Sequence, residues 1–246
     1  MAGHSKWSNI KRKKEKSDTQ KAKAFTKVTR EIIVATKTGG GDPDSNFQLR
    51  LAIQNAKEVN MPNDNINRAI KRGLGSTETD QYEEIIYEGY GSGGVAFLVQ
   101  TLTDNRNRTA SEMRYIFSRN NGNLGESGCV AWLFERKGVV TALKEEVKFD
   151  EEKLLELALE AGAEDLRLEE DYYEIITEPS ELERVKNFLD DKISVDNAEL
   201  DFIPKTTVEV DGETAESLIK LADALEEHDD VQNVYANFDI SDQDQS

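Results

Sequence analysis

Side chains suited to nucleophilic or metal-based catalysis are scarce in this chain: one cysteine, Cys129, and two histidines, His4 and His228. They lie far apart in sequence, so no spacing supports a zinc site or a Cys–His pair. The acidic runs Glu169-Glu170-Asp171 and Glu226-Glu227-His228-Asp229-Asp230 offer oxygens for weakly held Mg2+. They lack the spaced loop of an EF-hand and read more simply as solvated faces. Neither G-x-S-x-G nor a Walker A sequence occurs. Gly89-Tyr90-Gly91-Ser92-Gly93-Gly94 fits G-x-G-x-x-G, but a dinucleotide site needs a helix after the glycines. Here Val95-Ala96-Phe97-Leu98-Val99 follows, a strand, so the glycines predict a hairpin connection. The residues predict a protein that is not an enzyme, with no metal, no cofactor and no small-molecule substrate.

What the chain is rich in is charge, and the charge is divided. Residues 1–75 hold 16 Lys and Arg against 7 Asp and Glu, whereas the other 171 residues hold 15 against 42. A basic block on an acidic chain predicts a polyanionic partner at one end and a body that repels polyanions elsewhere. The candidate nucleic-acid contacts are Lys6, Lys11, Arg12, Lys13, Lys14, Lys16, Lys23, Lys27 and Arg30, with Lys71 and Arg72 closing a later helix. A solvated tail without a partner is the plain alternative. Trp7 is expected either to stack on a base or to anchor the arm to the bundle behind it. A second candidate is Thr103-Asp104-Asn105-Arg106-Asn107-Arg108-Thr109, where Arg106 and Arg108 flank a helix N-terminus and Arg114 and Arg119 extend the site. The competing reading has Asp104 or Asn105 capping that helix while the arginines balance nearby carboxylates.

These residues need elements to position them. Residues 1–16 are expected to form a mobile arm. Ser17 or Asp18 then caps a helix to about Thr38 whose apolar stripe is Phe25, Val28, Ile32 and Ala35, with Lys16, Lys23, Lys27 and Arg30 opposite. Asp42-Pro43 is expected to open a second helix with the stripe Leu49, Ala52, Ile53 and Ala56. Met61 to Asp64 caps a third bearing Ile66, Ala69 and Ile70, closed by Gly73. Strands follow at 82–88 and 95–102, a helix at 106–120, and strands at 129–135 and 138–143. Trp132 and Phe134 then share a strand face, with core packing the expected fate. A helix at 150–162, strands at 165–169 and 172–177, a helix at 179–191 and a strand at 198–203 make residues 137–204 a βαββαβ, ferredoxin-like unit. Further β, α and β segments at 206–210, 213–227 and 231–238 follow. The fold class is therefore α+β: an N-terminal three-helix bundle and two ferredoxin-like α+β domains, one inserted in the other. The expected domains are 1–75, 76–136 with 205–240, and 137–204, with an acidic tail at 241–246. The sheet lacks the exposed aromatics of an RNA-recognition motif. No apolar run approaches the ~20 residues that span a bilayer, and the lone cysteine suits a reducing compartment. Both point to the cytoplasm and away from a membrane partner.

The chain resembles the YebC family, which includes bacterial probable transcriptional regulatory proteins and mitochondrial translational activators of cytochrome c oxidase. The resemblance is carried by the segments Ala2-Gly3-His4-Ser5-Lys6-Trp7-Ser8-Asn9-Ile10-Lys11, Met61-Pro62-Asn63-Asp64-Asn65-Ile66 and Ala69-Ile70-Lys71-Arg72-Gly73. It continues through Tyr87-Glu88-Gly89-Tyr90-Gly91, residues 103–109, Ala161-Gly162-Ala163-Glu164-Asp165 and Asp230-Val231-Gln232-Asn233-Val234-Tyr235. It implies three domains, a helical bundle and two of α+β type. It also implies one of two roles: DNA-binding transcriptional control, or a ribosome-associated translation factor that relieves stalling at proline-rich stretches by contacting ribosomal RNA and tRNA. The third helix offers Asn63, Asn65, Asn67 and Arg68 to read bases, but no dimer element is evident, and a flexible lysine arm suits RNA equally well. A scaffold that uses its acidic domains to bind a basic protein is the alternative from another class.

Overall fold

The computed structural model describes residues 21–75 and 82–240, which carry seven α-helices and ten strands. They fall into two compact units, one of residues 134–207 and the other of the described residues up to 133 together with those from 208 onward.

In the second of these units the chain opens with three helices, α1 (Lys21–Gly39), α2 (Phe47–Glu58) and α3 (Asn63–Leu74). Apolar residues at helical spacing fuse them around one core: Val28, Ile32 and Ile33 from α1, Leu49, Ala52 and Ala56 from α2, Ile66 and Ala69 from α3. Of the expected stripes, Phe25, Ile53 and Ile70 are only partly buried, at the core's margin. The cap expected for α1 at Ser17 or Asp18 lies outside the described residues. α2 begins at Phe47 rather than at Pro43, because Asn46 takes the capping position and accepts from the Leu49 N–H at 3.1 Å. The Asn46 amide also donates to the carbonyls of Ala35 and Gly40, both at 2.8 Å, so one buried side chain closes the α1–α2 corner. Gly73 does not end α3, which runs on to Leu74. A Cβ at Gly73 would stand 2.7 Å from the Thr36 Cβ and 2.9 Å from the Ile33 carbonyl oxygen, so glycine is what lets α3 lie against α1.

The same unit continues with β1 (Glu83–Tyr90), β2 (Ala96–Thr103), α4 (Arg106–Arg119) and the short β3 (Asn123–Leu124). The glycines at 91–94 do form the β1–β2 hairpin connection, through a 3-10 turn at Ser92–Gly94. After the other unit come β8 (Val208–Val210), α7 (Gly212–Glu226), β9 (Val231–Ala236) and β10 (Phe238–Ile240). The sheet order is β3-β1-β2-β9, all antiparallel, while β8 and β10 pair in parallel. One sheet face packs on α4 and α7 through Phe97, Val99, Met113, Phe117, Leu218 and Leu221, and the rings of Phe97 and Phe117 meet edge to face at 6.2 Å.

Of the strand expected at 129–135, residues 129–133 are not strand. Residues 126–133 form turns and a 3-10 segment at Ala131–Leu133. The cause is Glu88, a buried carboxylate on β1 that accepts the N–H groups of Gly128 at 2.6 Å, Val130 at 2.8 Å and Ala131 at 2.7 Å. Donors held by a side chain cannot join a ladder. Trp132 therefore sits on a tight turn, 65% exposed, with its indole N–H on the Cys129 carbonyl, and does not pack in a core.

The unit of residues 134–207 consists of β4 (Phe134–Leu143), α5 (Glu151–Ala161), β5 (Asp165–Leu168), β6 (Tyr172–Thr177), α6 (Leu182–Asp190) and β7 (Asn197–Pro204). Its order β5-β6-β4-β7 with antiparallel pairing throughout is the ferredoxin-like arrangement. β4 is one continuous strand where two were expected. No described helix is long and apolar enough to cross a membrane.

Candidate nucleic-acid interface

α3 presents the clearest polar face. Pro62 fixes the entry in extended conformation, and Ile66, Ala69 and Gly73 turn inward, which leaves Asn63, Asn67, Arg68, Lys71 and Arg72 exposed. Lys71 and Arg72 occupy the last turn, where cations also suit the helix dipole. Amide and cationic groups, with the single carboxylate of Asp64 among them, share this surface, the combination that meets both base edges and phosphates.

On α1 the expected row of cations is not a solvent row. Lys16 lies outside the described residues, as do Lys6, Trp7, Lys11, Arg12, Lys13 and Lys14, and of Lys23 only the backbone is described. Lys27 and Arg30 turn inward. The Lys27 ammonium donates to the Glu226 carbonyl at 3.1 Å, at the end of α7, a helix with no basic residue in its own last turn. α1 supplies the positive charge that this C-terminus lacks. The Arg30 guanidinium donates to the Leu102 carbonyl at 3.2 Å, to the Asp229 carbonyl and to the Asp230 carboxylate at 2.8 Å. Lys27 thus ties the bundle to the end of α7, and Arg30 ties it to β2 and to the turn before β9.

The segment 103–109 divides its arginines between two tasks. Asn105 caps α4 by accepting the Arg108 N–H at 3.1 Å, in line with the competing reading of this segment. Arg108 then donates to Asp230 at 2.7 Å and Asp104 at 3.1 Å and pairs with Glu112 at 3.7 Å, so it is committed internally. Arg106 is exposed and makes no ion pair with any described residue. The same holds for Arg114 and Arg119 further along α4.

Asp230 is the centre of this cluster and 1% exposed. It accepts from Arg30, Arg108 and the Thr109 hydroxyl, the last at 2.7 Å. Burial pushes its carboxyl pKa up, but the bonds from Arg108 and Thr109 and the charges of Arg30 and Arg108 outweigh that and hold it below the ordinary value. Ligand atoms of Glu112, His228 and Asp230 lie within 4.8 Å of one another. The donor set does not fit a divalent cation, because His228 accepts the Asp230 N–H on Nδ1 and meets Glu112 through Nε2 at 2.8 Å. Two guanidiniums already neutralise the carboxylate.

Two exposed aromatics escaped sequence reasoning. Trp132 did so through the Glu88 contact described above. Tyr115 is 63% exposed on α4, and the sequence does carry its signal: Thr109, Met113 and Phe117 define the buried stripe, from which Tyr115 is displaced.

Comparison with known proteins is consistent along the whole chain. The pattern described as the TACO1/YebC protein N-terminal domain matches residues 5–76, and that of the TACO1/YebC second and third domain matches residues 82–238. A probable transcriptional regulatory protein of Pelotomaculum thermopropionicum is 57% identical over 243 residues, covering 98% of this chain and all of that one. One of Persephonella marina is 57% identical over 246 residues, 99% and 98% of the two chains. The crystal structure of a conserved hypothetical protein from Aquifex aeolicus, 50% identical, superposes with a TM-score of 0.85 over 93% of this chain and 94% of that one. The chain belongs to the TACO1/YebC family.

Proposed function

We propose that this protein is a non-enzymatic, cytoplasmic regulator of gene expression that binds nucleic acid through its basic N-terminal module, residues 1–75. The observation that carries the reading is the α3 surface, where Asn63, Asn67, Arg68, Lys71 and Arg72 stand exposed within the one strongly basic stretch of an acidic chain. Its relatives' description as probable transcriptional regulatory proteins agrees. The arm residues Lys6, Trp7, Lys11, Arg12, Lys13 and Lys14, with Lys16 and Lys23, extend the contact. The acidic remainder, divided as 76–136 with 205–240 and 137–204, keeps other surfaces off the polyanion. Lys27 and Arg30, partly buried, hold the module in place, and Arg108, though exposed, is occupied by Asp104, Glu112 and Asp230.

A translation factor contacting ribosomal RNA and tRNA is the second reading, favoured by the exposed Tyr115 ring beside arginines that no described carboxylate pairs, since ring stacking needs an unpaired base. Ultraviolet cross-linking in cells, followed by sequencing of the recovered nucleic acid, tests both. Discrete promoter fragments establish transcriptional control. Ribosomal RNA and tRNA establish the translation factor. Recovery of neither above background overturns nucleic-acid binding altogether.

A further inference from the structure

We infer that the solvent face of α4 is a second contact surface, built to hold a single-stranded polynucleotide with one base stacked on Tyr115. This rests on the nucleic-acid reading above and adds a site outside the N-terminal module.

At 100° per residue, Asn107, Ser111, Arg114, Tyr115 and Ser118 share about 100° of the helix circumference, and all five are exposed. Arg119 borders that arc, and Arg106 stands at the helix start. The face carries no carboxylate. The one acid on the helix, Glu112, is turned toward Arg108 and His228. Asp104, before the helix, is likewise held by Arg108. Internal pairing removes the nearby negative charge from this face and leaves Arg106, Arg114 and Arg119 without an ion pair among the described residues. In a chain with 49 Asp and Glu against 31 Lys and Arg, three arginines without a described carboxylate partner on one helix run against the composition.

The hydroxyls on the face are spent locally. Ser111 donates to the Asn107 carbonyl and Ser118 to the Tyr115 carbonyl, both at 3.0 Å. What remains is an exposed ring flanked by guanidiniums, the pairing that stacks a base and holds its phosphates. A duplex hides its base faces, so the ring is useful only to an unpaired strand. The path also has an end. Arg119 itself lines a cleft with Glu213, Glu216 and Lys220, where Lys220 pairs with Glu216 at 3.7 Å and Glu213 adds a negative charge that turns a phosphate chain away.

The test is fluorescence anisotropy of the full chain with labelled mixed-sequence single-stranded RNA, its DNA counterpart and a duplex of equal length. Tyr115→Ala is expected to weaken single-strand binding about five- to fifty-fold, as removal of one stacked base does. Tyr115→Phe should bind like the wild type, and duplex affinity should not move. Arg114→Gln with Arg119→Gln should lower the single-strand salt slope by about 0.7 for each phosphate no longer neutralised. A larger Tyr115→Ala effect on RNA than on DNA identifies RNA as the ligand, and the reverse identifies DNA. All the altered side chains are exposed, so an unchanged Tm serves as the folding control. The inference is overturned if the wild type binds and these variants bind equally well, or if an acidic polypeptide of matched charge displaces the strand as effectively as unlabelled RNA. If binding disappears only on substituting Arg68, Lys71 and Arg72, the N-terminal module stands and α4 does not. A wild type that binds no strand overturns both.

Discussion

Arg106 and Arg108 are two residues apart in one motif, yet they face different tasks. Arg108 is turned toward Asp104, Glu112 and Asp230, and Arg106 is not. The difference lies in Asp230, whose buried carboxylate gathers Arg30, Arg108 and Thr109. Removing one partner of a buried pair strands the other charge, so Asp230→Asn is expected to destabilise the protein by about 3 kcal/mol or more in chemical denaturation. The pH dependence follows from the depressed carboxyl. A group with a lowered folded pKa contributes its stability above its unfolded value, about 3.9 for Asp, and loses it as pH falls through the folded value. The stability gap between wild type and Asp230→Asn should therefore be full at neutral pH and shrink below about pH 4. A gap independent of pH would show that the carboxylate's charge is not what binds Arg30. Trp132 makes the opposite prediction. Because its ring is largely in solvent, Trp132→Ala should change stability by less than about 1 kcal/mol, whereas a core tryptophan would cost about 3–5 kcal/mol.

At the scale of elements, α3 depends on how closely it approaches α1. Gly73→Ala would place a methyl 2.7 Å from the Thr36 Cβ, and the strain is expected to cost about 1–3 kcal/mol despite alanine's better helix propensity. A stabilised Gly73→Ala variant would contradict the packing described. The helices and most strands were legible in the sequence because their signals are local: the stripe of Val28, Ile32 and Ala35, and the hairpin glycines at 91–94. The failures come from side-chain contacts that no local pattern reveals. The segment 129–133 has strand-forming residues, but its Val130 and Ala131 N–H groups go to Glu88, some 40 positions earlier. α2 starts at Phe47 because Asn46 caps it while its amide is held by the carbonyls of Ala35 on α1 and Gly40 just past its end. The candidate site follows the same rule. Lys71 and Arg72 were legible from helix periodicity, while the inward turn of Lys27 and Arg30 was not, since Glu226, Asp229 and Asp230 lie about 200 residues away.

For the molecule as a whole, the division of charge governs association. If the basic module and the α4 face engage a polyanion as proposed, binding should be salt-sensitive in proportion to the cations engaged. Engagement of nucleic acid by the N-terminal module can be read from the salt dependence of oligonucleotide affinity for the wild type and for Arg68→Gln with Lys71→Gln and Arg72→Gln. Weaker binding is expected, with a slope shallower by about two to three units, at 0.7–0.9 for each phosphate no longer neutralised, and with the protein still folded in a thermal melt. An unchanged affinity and an unchanged slope would contradict it.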